Sequence, residues 1–327
     1  MTTANKLAIP TSQLLDEYKF YLEAMNRSPK TISWYQDILG KYFAFQTSNQ
    51  MLKPVQELGT AELRAYILHL QQTTRWANSP YIRKATGKLS PYSIQGEVRA
   101  IKAFWGYLEK EGYIEKNPLA RFPLPKVPQK PVHILSSEQI MTLLSQTDRH
   151  TATGAKYYTI LLILLDSGLR ISELVNICIK DLDLQHNCVQ VLGKGQKQRT
   201  VPFSNLTRRE INHFIISFRP RLCQVESPYL FPRSDGTPIS INSVQQLLRR
   251  LAMKVGLDGM RCSPHVFRHT FATQSIANGA NVFTLKEIMG HSTLTTTMKY
   301  THLQPHDLQV QHAKFSPVAN LRLRDNS

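Results

Sequence analysis

Two guanidiniums, two imidazoles, an ammonium and a phenol occur along this 327-residue chain in the order Arg170, Lys194, His265, Arg268, His291 and Tyr300. Such a set is equipment for attacking a phosphodiester with tyrosine and without a metal. Phosphodiester cleavage passes through a crowded phosphorane with excess negative charge on its equatorial oxygens. Fixed cationic donors stabilise that state more than the ground state, and the difference is catalysis. Arginine suits the task because its planar fork donates parallel hydrogen bonds and keeps its charge. Ser263 and Pro264 read as the N-cap and first residue of a helix, so His265 falls in the first turn, where backbone N–H groups and the helix dipole attract phosphate. Arg268, three residues on, shares that face.

Each residue taken singly has a plainer reading. His265 and His269 have the i, i+4 spacing of a zinc pair, yet Arg268 stands between them where a metalloprotease needs an acid, and no cysteine or carboxylate cluster follows. No metal or other cofactor is therefore expected. His269, one step from Arg268, reads as a structural hydrogen-bonding histidine. Arg170 follows Gly168-Leu169 at a helix break, where pairing with Glu173 is the ordinary outcome. Lys194, between Gly193 and Gly195, is by default a solvated hairpin lysine, although flanking glycines also let a backbone approach DNA. A lone helix tyrosine such as Tyr300 belongs to a core or an interface unless phosphate-binding residues surround it.

The elements that must position these groups are mostly helical. Apolar residues recur at helical spacing from Ser12 to Phe45, broken by Ser28-Pro29, then over Thr60–Gln72 and from Tyr92 to Tyr113, closed by Gly112. Further helices are expected over 136–144, 155–166, 171–178, 208–218, 241–255, 264–278, 282–289, 293–300 and 305–312. Between them, 188–192 and 199–203 read as two strands of a hairpin or small sheet around Gly193 to Gln198.

Length favours two domains. Net charge is +17, with 18 Lys/Arg against 10 Asp/Glu in residues 1–130 and 22 against 13 in the rest. Both halves are thus basic, which fits two domains gripping a duplex from opposite sides and not a single basic tail. Five prolines between Asn117 and Val132 prevent helix and hold an extended basic linker. The expected organisation is a helical DNA-binding domain over 12–116, the linker 117–132, and a catalytic domain over 133–327. The basic loop from Arg75 to Pro91, taken alone, is equally readable as solvated surface or as a phosphate contact, and the chain-wide basicity favours the contact. Candidate DNA-contacting residues are Lys30, Arg83, Lys84, Lys88, Arg99, Lys102, Lys197 and Arg199. Cys178, Cys188, Cys223 and Cys262 form no CxxC pair and follow no signal peptide, which reads as reduced thiols in a cytoplasmic protein. The most apolar run, Ile160 to Leu165, is too short for a membrane span.

Four strings in order, Ser167-Gly-Leu-Arg-Ile-Ser-Glu-Leu174, Gly193-Lys-Gly-Gln-Lys-Gln-Arg-Thr-Val-Pro202, His265-Val-Phe-Arg-His-Thr-Phe-Ala-Thr273 and Met289-Gly-His-Ser292 running on to Tyr300-Thr-His302, resemble the tyrosine recombinases of the phage-integrase and Xer type. The likeness is detailed over 135–303 and only one of pattern over 12–115. It implies a mainly α fold, with a helical, SAM-like core-binding domain and an α+β catalytic domain with a small antiparallel sheet, forming a clamp around double-stranded DNA. It further implies that Tyr300 attacks the scissile phosphate to give a 3′-phosphotyrosyl link and a free 5′-hydroxyl. Arg170, Arg268 and His291 would hold the phosphate oxygens, His265 would assist proton transfer at the tyrosine, and Lys194 would protonate the leaving oxygen. A tetramer, of one chain type or two, would act on two DNA sites through exchange of a C-terminal segment; a segment folded back on its own domain is the equal alternative. Competing functions are strand relaxation like that of a type IB topoisomerase and a DNA-binding architectural protein.

Overall fold

The computed structural model of the protein describes residues 9–74, 87–128, 133–193, 197–257 and 262–298. Expectations for Arg83, Lys84, Lys194, Tyr300 and a helix at 305–312 therefore lie outside the described residues. The chain divides into two compact units, Met1–Lys130 and Pro131–Ser327.

The first unit is built on α1 (Thr11–Ala24), α2 (Pro29–Ser48), α3 (Thr60–Gln72) and α4 (Pro91–Lys110). Two of these start alike. Ser28 and Ser90 each accept a hydrogen bond from the third residue on, and each is followed by proline at the first helical position, where a missing N–H costs nothing. The apolar stripes meet in a core rich in aromatic rings. Tyr42, Tyr66, Phe104 and Trp105 are almost wholly buried, and Tyr42 packs edge-on against both Tyr66 and Trp105.

The proline-rich stretch differs from a free tether. Gln95 donates to the Pro125 carbonyl at 2.9 Å, Tyr92 to that of Pro128 at 2.8 Å, and Lys102 to those of Ala120 at 3.2 Å and Phe122. Leu119 is buried in the first core. Prolines bring carbonyls without N–H partners, and side chains of α4 meet them, strapping residues 119–128 to this unit. Lys102, a candidate DNA contact, is half-buried here and holds the strap.

The second unit begins with α5 (Ser137–Ser145), α6 (Ala152–Ser167) and α7 (Ile171–Val175). Helix α6 is apolar all round from Ile160 to Leu165, with Ile160 to Leu164 buried, as expected of a helix at the centre of a core. It ends at Gly168, whose φ of 60° is left-handed. A Cβ there would lie 2.3 Å from the Phe271 ring, so both conformation and space call for glycine.

Strands β1 (Leu182–Asp183), β2 (Cys188–Leu192) and β3 (Gln198–Pro202) form an antiparallel sheet in chain order. The two-residue β1 is too short for the alternation that marked the other two. Val189 pairs with Val201 and Val191 with Arg199, and the three valines are buried. After the sheet come α8 (Asn205–His213), α9 (Ile241–Lys254), α10 (Pro264–Ala277), α11 (Val282–Met289) and the short α12 (Leu294–Met298). The helix expected over 208–218 is interrupted, passing into a π turn at Phe214–Phe218. No described helix is long and apolar enough to cross a membrane.

Candidate active site

The site forms where α11 ends. The last carbonyls of any helix lack internal partners, and here each has an identifiable donor. His291 N–H reaches the Lys286 carbonyl at 3.1 Å and Gly290 N–H that of Glu287 at 3.0 Å. Arg199 Nε donates to Ile288 O at 2.8 Å, Arg268 Nη2 to Met289 O at 2.7 Å, and Arg170 Nη2 to Gly290 O at 2.8 Å. Three guanidiniums thus hold three successive carbonyls. The negative end of the helix dipole favours them there, and His291 follows directly.

Two features let the backbone take this shape. Gly290 is left-handed, with φ 63°, the usual way to close a helix. A Cβ at this position would lie 2.9 Å from Cζ, Nε and Nη1 of Arg199, so a side chain would displace the guanidinium.

Arg268 is only 6 % exposed, and its second arm donates to the Gly168 carbonyl at 2.6 Å. The C-terminal ends of α6 and α11 therefore both face one guanidinium, which offsets part of the cost of burying its charge. Arg170 donates through Nη1 to Glu173 Oε1 at 2.8 Å. The ordinary pairing with Glu173 is present, yet the Arg170 side chain remains about a third exposed (32 %). These two bonds engage two of the five donors that a guanidinium carries, leaving donors for an anion.

Glu173 is buried and accepts four hydrogen bonds. Oε1 receives Arg170 Nη1 and Arg199 Nη1, while Oε2 receives Arg199 Nη2 at 2.8 Å and the Arg170 N–H at 2.9 Å. Burial pushes the carboxyl up, but the hydrogen bonds and charges of Arg199 and Arg170 outweigh it and hold it below the usual range.

His291 Nδ1 lies 2.8 Å from Thr297 Oγ1, which ties α12 back to the cluster. Burial first, then the charges of Arg268, Arg170, Arg199 and His269, push the imidazole down from 6.5 to about 4. His291 is thus neutral at pH 7, a form that can donate one N–H to a phosphate oxygen while its other nitrogen accepts from Thr297. A folded value below the unfolded one means that the associated stability is complete above about 6.5 and is lost as pH falls through about 4. In an imidazole NMR titration of the free protein, the His291 midpoint should fall near 4. A midpoint at or above about 6, the range of a solvated histidine, would remove the ring from the influence of the guanidiniums.

The remaining expected residues are placed as follows. His265 is exposed in the first turn of α10. Ser263 and Pro264 stand at its N-cap and first position, although the Ser263 hydroxyl caps no backbone N–H. Among the described residues, the His265 ring joins none of the bonds above. Among the described residues no three His, Cys, Asp or Glu side chains gather as metal ligands. Lys30, Lys88, Arg99 and Lys197 are exposed. Arg199 departs from the expectation of a DNA contact. Its side chain is 12 % exposed and is bound at all three nitrogens to Glu173 and Ile288. The signal was present in the alternation of β3, which puts residue 199 on the inward face of Val201. Glu173, read only as a possible partner of Arg170, proves to be the shared acceptor of two arginines.

Residues 133–307 match the phage integrase family. The chain belongs to that family. Among this recombinase's relatives are the tyrosine recombinase XerC of Anoxybacillus flavithermus, 29% identical over 90% of this chain and 94% of that one. Another is the tyrosine recombinase XerD of Listeria innocua, 26% identical over 94% of this chain and the whole of that one. The fold is shared with the Tn1549 transposon integrase in complex with transposon right end DNA, at a TM-score of 0.70 and 19% identity over 92% of this chain and 99% of that one. It is shared likewise with XerH bound to difH substrate, at 0.66 and 20% over 93% and 84%.

Proposed function

We propose that this protein cuts and rejoins double-stranded DNA at specific sites through Tyr300. The Tyr300 oxygen attacks the scissile phosphorus and the bond to the 5′-oxygen breaks, leaving a 3′-phosphotyrosyl link and a 5′-hydroxyl. Arg170, Arg268 and His291 hold the non-bridging oxygens, His265 assists removal of the tyrosine proton, and Lys194 delivers a proton to the leaving oxygen. The reverse attack by the 5′-hydroxyl of another strand restores a phosphodiester. Because the covalent link keeps the bond energy, rejoining needs no ATP.

The observation that carries this reading is the convergence of Arg170 and Arg268 on the two carbonyls immediately before His291. Two guanidiniums and a neutral imidazole are thereby held around one turn, the donor set a phosphorane requires. The likeness to XerC and XerD along nearly their whole lengths supports the same activity. The working unit is a tetramer on two DNA sites, joined through the segment that follows Tyr300, with the helices of residues 12–116 gripping the core of each site.

The test uses the duplex most enriched by the protein from a random-sequence pool, nicked so that cleavage traps the covalent complex. A detergent-resistant complex should form, with its DNA joined through a 3′-phosphate to the peptide containing Tyr300. A complex mapping to another residue, or none, would overturn the assignment. Lys194→Ala should slow cleavage by about 10²-fold or more and be restored when sulfur replaces the bridging 5′-oxygen, since thiolate leaves without a proton. A variant left slow on the sulfur substrate would take the acid role from Lys194.

A further inference from the structure

Arg199 was expected among the DNA contacts and is instead turned inward. It binds both oxygens of Glu173, at 2.7 and 2.8 Å, and the Ile288 carbonyl at 2.8 Å. Its two sets of acceptors belong to the two segments that carry the proposed phosphate ligands. Glu173 sits in α7 and fixes Arg170 through its side chain and its backbone N–H. Ile288 lies three residues before His291.

Space has been left for this guanidinium from two sides. A Cβ on Gly290 would be 2.9 Å from it, and one on Gly193 would be 3.3 Å from Nη1. Both glycines belong to the strings that flank the site, and both would press on the same side chain if substituted. The register of the sheet adds a third constraint: Arg199 pairs with Val191 on the buried face, so strand β3 delivers it inward.

We propose that Arg199 is a positioning residue for strand cleavage, a clamp that sets the separation between Arg170 and the His291 turn and hence the place of the scissile phosphate. The inference rests on the phosphate-binding roles given above to Arg170 and His291. The clamp works through geometry and not through charge alone. One planar fork meets three acceptors on two elements, which a lysine ammonium on a flexible stem does not reproduce.

Arg199→Lys separates the possibilities because it keeps the charge. A phosphate contact would survive it largely intact, whereas a clamp would fail. On the enriched nicked duplex, the lysine variant should bind within about twofold of the wild type with the same salt dependence. At saturating protein, its rate of covalent complex formation should fall by about 10²-fold, the cost of a misplacement of about 1 Å in a reacting geometry. The His291 imidazole resonances of the free protein should also shift. Arg199→Gln, which removes the planar fork and leaves the Glu173–Arg170 pair in place, should likewise slow the saturated rate with an unchanged salt slope and serves if the lysine variant does not fold.

Weaker binding with a salt slope reduced by about one and an unchanged saturated rate would make Arg199 a DNA contact after all. A lower melting temperature with unchanged rate and unchanged His291 resonances would reduce it to a structural residue. Either result overturns the clamp. Failure of the underlying function is distinguishable, because then the wild type itself forms no covalent complex, while the His291 resonances of the free protein still report whether Arg199 holds the turn.

Discussion

Phenylalanine at position 300 should abolish the covalent complex and leave DNA affinity unchanged. The substitution removes a single oxygen from a ring that otherwise keeps its size, so packing and charge stay as they were. What is lost is the only proposed nucleophile, and water offers little in its place against a phosphodiester. Removing the nucleophile from covalent enzymes costs on the order of 10⁶-fold in rate, which for this assay means no detectable product. The described residues end two positions before Tyr300. Thr297, fully buried, meets His291 Nδ1, and the chain reaches residue 300 three positions later. Binding of the variant to the enriched duplex, measured beside detergent-resistant complex formation, checks both halves. Persistence of the complex in Tyr300→Phe would sink the nucleophile assignment, and loss of binding would show that the phenol holds the DNA and not only attacks it.

Much of this arrangement could be read from the chain alone, because the side chains proposed to meet phosphate lie in short strings with capping and turn residues around them. Ser28-Pro29, the glycine after α6 and the alternation in β2 and β3 gave elements close to those observed. The placement of Arg268 on α10 followed from helix periodicity. The supporting contacts did not emerge in that way, since they join residues far apart in sequence. Arg268 meets Gly168 across 100 residues, Arg170 meets Gly290 across 120, and Arg199 meets Ile288 across 89. No local pattern states which backbone carbonyl a guanidinium will find. A cation that binds phosphate and one that binds buried carbonyls are the same residue type, so sequence alone does not separate these uses for Arg199 and Lys102. For Arg199, strand parity held the missing information. For Lys102, on an amphipathic helix beside a proline-rich strap, only the packed structure shows the carbonyls that it meets.

Arg268 should prove the least replaceable of the described residues, for reasons of folding and chemistry at once. Its guanidinium joins the last turn of α6 to that of α11 through the Gly168 and Met289 carbonyls. In Arg268→Ala both carbonyls lose a charged donor within the core, at about 1–3 kcal/mol for each buried group left unsatisfied. A loss of about 3 kcal/mol corresponds to a melting temperature lower by roughly 6–12 °C for a domain of the size of the second unit. Cleavage should fall by about 10³-fold or more in the fraction that remains folded, as when a donor aimed at developing oxyanion charge is removed. Arg268→Lys separates the two effects, because an ammonium can still lie between the helix ends but presents no planar fork. Most of the stability should return in the lysine variant, while cleavage stays at least about 10²-fold below wild type. Calorimetry and single-turnover cleavage, both run below the melting transition of each variant, make the comparison. Cleavage restored together with stability would mean that Arg268 serves only to join two helix ends, and the phosphate would then rest on Arg170 and His291 alone.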